Sequence, residues 1–173
     1  MISEIESILE AGQSRKMADT VIDIILQDES RIDELMQCFF SDHLRTCQHA
    51  AWPVGIIAEK HPSILLLYLP RMVSNLDNPK HDAVVRNTLR TFQFIEIPEK
   101  LQSEVYDRCL EYLSNPKYPI AFTAFAMTVC TDIAMQYPEL KEEVITAIDY
   151  RMPHGSPGIR GRGTREKRRL LKR

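Results

Sequence analysis

The chain has 173 residues, 44% of them hydrophobic and 27% charged, with a net charge of −2 and four cysteines. That composition excludes a disordered chain and a disulfide-stapled miniature, and it predicts one domain with a packed core. Acidic Glu4, Glu6 and Glu10 stand where a secretory signal needs a basic start and an apolar run, and the longest charge-free apolar stretch, residues 118–131, is too short to span a bilayer. Cys38, Cys47, Cys109 and Cys130 form no Cys-x-x-Cys pair; they predict reduced core thiols in a cytoplasmic protein that does not engage a membrane.

Helical spacing recurs along the chain, and no segment sustains the alternation of a strand. Ile2, Ile5, Ile8 and Leu9 share a face that ends at Gly12, which predicts a short capping helix. Ile32, Leu35, Met36, Phe39 and Phe40 make the clearest apolar face, on a helix over 30–40. Two near-copies, Asn78-Pro79-Lys80-His81 and Asn115-Pro116-Lys117-Tyr118, lie 37 residues apart and mark a repeat. Within the units Pro62, Pro98 and Pro138 stand at mid-unit turns, where a helix start needs no proline amide. The resulting helix pairs are 17–27 with 30–40, 44–59 with 63–76, 83–95 with 99–113, and 119–135 with 139–151. No single pair buries its apolar side alone, so neighbours must stack. The helix beginning at Ile120 is apolar on nearly every face and should be covered on several sides.

Asp82-Ala83-Val84-Val85-Arg86, opening a helix after an Asn-Pro turn, resembles the Asp-x-x-Val-Arg signature of HEAT repeats, and Asp42-His43-Leu44-Arg45 is a looser version. Pro53 stands where first helices of such repeats often bend. The resemblance covers residues 17–152. It implies an all-α fold, a short right-handed α-solenoid of about four HEAT-like hairpins behind an N-terminal capping helix, offering a curved surface to partners and no chemistry. The domain reading is 1–153 for the repeats and 154–173 for a Gly/Arg-rich basic tail.

No local motif assigns a reaction. His43, Cys47 and His49 are the one tight cluster of metal-ligand types, but His49 lies on a different helix face from Cys47, and zinc needs three or four convergent ligands. The expectation is therefore no metal and no cofactor. Trp52 has Ile56 beside it on its face and no carboxylate, which argues against a DNA-alkylation-repeat glycosylase. Residues 152–157, Met-Pro-His-Gly-Ser-Pro, lack the lysine and asparagine of the lyase signature loop they superficially match.

The tail is the most distinctive feature. Arg160, Arg162, Arg165, Lys167, Arg168, Arg169, Lys172 and Arg173 face one acid, Glu166, so residues 158–173 carry +7 and the remainder −9. The glycines at 155, 158, 161 and 163 read as a hinge, with a helix capped by Thr164 after them. Because apolar helical spacing is complete by Met152, deleting 158–173 should leave the repeats folded. The cations suit either phosphates or contact with protein, on the acidic body or on a second copy through Leu170 and Leu171. Arg71 and Arg108, also 37 apart, occupy equivalent positions on second helices and are candidates for partner contact. The reading is a non-enzymatic protein-interaction or scaffold module; the alternative is a nucleic-acid-associated protein anchored by its tail.

Overall fold

Short polar caps start the first helices of the computed structural model, which describes residues 2–172; Met1 and Arg173, the last cation of the expected tail, lie outside the described residues. Ser3 accepts from the Glu6 amide at 3.1 Å and opens α1 (Glu4–Glu10). Gly12, with φ of 146°, takes the left-handed turn expected after it. Ser14 accepts from the Met17 amide at 3.0 Å and opens α2 (Arg15–Gln27). There follow α3 (Ile32–Phe39), α4 (Leu44–Lys60), α5 (Leu69–Ser74), α6 (Asp82–Phe92), α7 (Glu99–Ser114), α8 (Ile120–Gln136), α9 (Lys141–Arg151) and α10 (Pro157–Leu171). No strand occurs among the described residues, so the chain is all-α.

These bounds follow the predicted helix pairs to within a few residues except in the second pair. There the expected helix over 63–76 is a 3-10 stretch, Pro62–Tyr68, running into the short α5. Pro70 explains the break, since it has no amide to donate back to the Leu66 carbonyl.

The helices cluster into two compact units, one ending at Ile95 and one starting at Glu96. In the first, α1 packs on α2, α3 and α4, and α4 packs on α3 and α6. Ile5, Leu9, Leu35, Met36, Phe39, Ile57 and Leu89 form its core. His49 is buried on α4, and its Nδ1–H donates to the Leu9 carbonyl at 2.7 Å. It supplies a donor to a carbonyl at the end of α1 that has no partner within that helix.

In the second unit α8 is enclosed by α7, α9 and α10. That enclosure matches its apolar character on nearly every face.

The C-terminal segment corrects the sequence reading. Residues 157–171 are one helix within the second unit, not a tail beyond a glycine hinge, and its cap is Ser156 rather than Thr164. Ser156 accepts from the Ile159 amide at 3.3 Å, and Pro157 takes the first position, where its missing amide costs nothing. Ile159 and Leu170 are 2% and 3% exposed, so the apolar pattern continues past Met152. Gly163 permits the approach of the helix: a Cβ there would fall 2.7 Å from the Met152 side chain and 3.1 Å from Ile148. Gly163, though it weakens an isolated helix, lets α10 lie close to α9.

Candidate interaction surfaces

Two basic residues of α10, Arg169 and Lys167, pair with Asp132 of α8 and Asp149 of α9, and two clamp an acid of α10 itself. Glu166 is fully buried, yet it is ionised: its carboxylate accepts from Arg165 Nη2 at 2.5 Å, Arg169 Nη1 at 2.7 Å and Thr128 Oγ1 at 3.1 Å. Burial pushes its pKa up, but the hydrogen bonds from Arg165 and Arg169 outweigh that and hold it below the usual glutamate range. Arg169 also donates to Asp132 at 2.6 Å. Asp132 shows the opposite balance: burial, joined by the charge of Glu166, raises its pKa more than Arg169 and Arg165 lower it. Lys167 pairs with Asp149, Arg162 donates to Thr128 Oγ1 at 2.9 Å with its guanidinium 5.7 Å from the Phe125 ring, and Arg160 donates to the Gly155 carbonyl at 2.6 Å. Arg168 is exposed and makes no ion pair among the described residues.

The two candidate arginines of the second helices have different surroundings. Arg71 on α5 is exposed, its guanidinium 4.2 Å from the Phe40 ring centroid. Arg108 on α7 is half-buried and lies 3.8 Å from Glu111. Each belongs to its own compact unit.

A groove of about 530 Å³ in the second unit, here called the α7–α9 groove, runs between α7 and the wall formed by the end of α8, the Pro138–Leu140 turn and the start of α9, and it holds residues that sequence reasoning did not single out. Exposed Glu99, Asp107, Glu139 and Glu143 line it, with Ile133 and Leu140 as its apolar part. Its walls are braced: Tyr106 donates to Glu143 at 2.7 Å, Tyr137 donates to Gln102 at 2.7 Å, and Gln102 donates to the Ile97 carbonyl at 3.0 Å. Burial and the Glu143 carboxylate both push the Tyr106 hydroxyl's pKa up, so it stays a donor. One signal for this groove was legible: Glu99, Gln102, Ser103, Tyr106 and Asp107 recur at i, i+3, i+4, i+7 and i+8, a polar stripe on one face of α7.

The cysteines are buried; burial pushes the Cys38 thiol up to about 12, and it raises the Cys109 and Cys130 thiols well above the usual range. Such thiols are poor nucleophiles at neutral pH. Among the described residues no group of three or more His, Cys, Asp or Glu side chains is placed to hold a metal ion, and no helix is long and apolar enough to cross a membrane.

The HEAT repeat domain profile matches residues 5–169, nearly the whole chain and well into α10. The chain belongs to the HEAT repeat domain family. Its match reaches past residue 152, where the signature-based resemblance stopped, so the docked C-terminal helix falls inside the HEAT domain. Neither the curated proteins nor the solved structures returned a match.

Proposed function

We propose that this HEAT protein is a non-enzymatic protein-interaction module of the reducing cytoplasm, and that its α7–α9 groove receives a basic segment of a partner. The groove carries the reading. Four exposed carboxylates around Ile133 and Leu140 offer a negative rim and an apolar floor, the combination that recognises a lysine- or arginine-bearing peptide. The braced tyrosines keep that shape before a partner arrives, which reduces the ordering cost of binding. Arg71, exposed and held over Phe40, and Arg108 are further contact candidates on second helices. The nucleic-acid alternative is weakened by the ion pairs that occupy Arg165, Lys167 and Arg169.

The test is a fluorescence anisotropy titration of the full chain with a labelled lysine-leucine peptide, beside single- and double-stranded DNA and RNA probes at low salt. Peptide binding that weakens with salt, and weakens further in the Glu99→Lys, Glu139→Lys variant, is expected. Nucleic-acid binding without peptide binding would replace this reading with the alternative.

A further inference from the structure

A second opening, of about 490 Å³, is lined by Met152, Thr164, Lys167, Arg168, Leu171 and Lys172, where the C-terminal half of α10 meets the end of α9. Its chemistry is the reverse of the α7–α9 groove. Met152 and Leu171 supply apolar surface, Lys167, Arg168 and Lys172 supply positive charge, and among the described residues no carboxylate side chain lines it. Leu171 is 66% exposed, whereas its neighbour Leu170 is 3% exposed and anchors the helix in the core. One exposed leucine is ordinary on a protein surface. This one shares a groove with a methionine and lies within one helical turn of two cations.

The cations from Arg165 to Lys172, at the end of α10 and just past it, divide into two sets. Arg165 and Arg169 clamp Glu166, and Lys167 pairs with Asp149, so these hold the helix in place. Arg168 and Lys172 are exposed at the groove, and neither serves an ion pair among the described residues.

We propose that this groove docks an acidic amphipathic segment of a partner protein, seating an apolar side chain against Met152 and Leu171 while flanking carboxylates meet Arg168 and Lys172. The proposal rests on the reading of the chain as a protein-interaction module and adds a second surface of opposite preference. Charge complementarity selects the occupant. A basic segment is repelled by the rim. Two available cations fall well short of the roughly 6–10 phosphate contacts of a tight nucleic-acid binder, and a nucleic acid brings no aliphatic side chain to the apolar floor. A membrane surface calls for a continuous apolar helix face, wider than one leucine and one methionine.

The experiment is an anisotropy titration of the full chain with a labelled helical peptide of glutamate and leucine at i, i+3, i+4 spacing. Saturable, salt-sensitive binding is expected, weakened about ten-fold or more by Leu171→Asp, since a seated leucine contributes on that scale. The double variant Arg168→Glu, Lys172→Glu should prefer the lysine-leucine peptide instead. These side chains are exposed, so melting should be unchanged; Leu171→Ala replaces Leu171→Asp if the end of α10 loosens. No binding of the glutamate-leucine peptide, or binding that these substitutions leave intact, overturns the proposal. So does single-stranded DNA, or a phosphatidylserine vesicle, that displaces the peptide and loses its own binding in the same variants. The lysine-leucine titration of the unmodified protein separates the two readings: if that peptide binds and the acidic one does not, this proposal falls and the interaction module stands.

Discussion

Arg169 on α10 reaches Asp132 on α8 at 2.6 Å, across 37 residues of chain, and the same guanidinium holds the buried Glu166. One arginine thereby fastens the C-terminal helix to the most enclosed helix of its unit. Both Arg169 and Asp132 remain more than a third exposed, so solvent screens their attraction. A double-mutant cycle with Arg169→Ala and Asp132→Ala should return a coupling of about 0.5–1 kcal/mol in urea unfolding. Additive effects would show that the pair contributes position and no stability.

Truncation before α10 should unfold part of the second unit rather than spare it. Burial of Ile159 and Leu170 is lost, at about 1.5–3 kcal/mol each, and ~1 kcal/mol moves the melting midpoint of a domain this size by about 2–4 °C. Calorimetry on a chain ending at Ser156 should show a drop of about 10 °C or more, or two separated transitions. An unchanged midpoint would restore the reading of this segment as a dispensable tail.

Glu166 should make the docking of α10 sensitive to acid. Its folded pKa lies below the ordinary glutamate value of about 4.3, so its stabilisation is present above that pH and is lost as pH falls through the folded value. Asp132 has the opposite sign, because its raised pKa makes protonation favour the folded state as pH falls. The net acid limb is isolated by comparing wild type with Glu166→Gln in melting curves between about pH 5 and about pH 3. Wild type should lose its midpoint faster. Parallel curves would mean that Glu166 is not the group responsible.

Two glycines of α10 should respond oppositely to substitution. Gly163→Val forces a branched side chain against Met152 and Ile148, and overpacking of this kind costs about 1–3 kcal/mol. Gly161 has open space around its Cβ position, so Gly161→Ala should stabilise by about 0.5–1 kcal/mol through helix propensity. Urea midpoints of both variants decide it. Equal effects would remove the close approach as the reason for Gly163.

Apart from the 3-10 stretch Pro62–Tyr68, where a helix was expected, the sequence by itself determined the helical repeats up to Arg151, because their boundaries are written in local chemistry. Pro62, Pro98 and Pro138 cannot continue a helix by donating an amide, Ser3 and Ser14 satisfy amides that a helix start leaves bare, and apolar residues at i, i+3 and i+4 declare which face is buried. Even α8 announced its central place by being apolar on nearly every face. What the tertiary structure alone decided is the state of residues 157–171. Three glycines and a string of like charges argue locally for a hinge, since each glycine costs an isolated helix about 1 kcal/mol. The balance reverses only when Asp132, Asp149 and Thr128 stand opposite the cations and Met152 fills the space that Gly163 leaves. The two grooves were hidden for the same reason: the polar stripe of α7 was visible, but its opposing wall comes from residues about 40 positions away, and a recess exists only where two such surfaces meet.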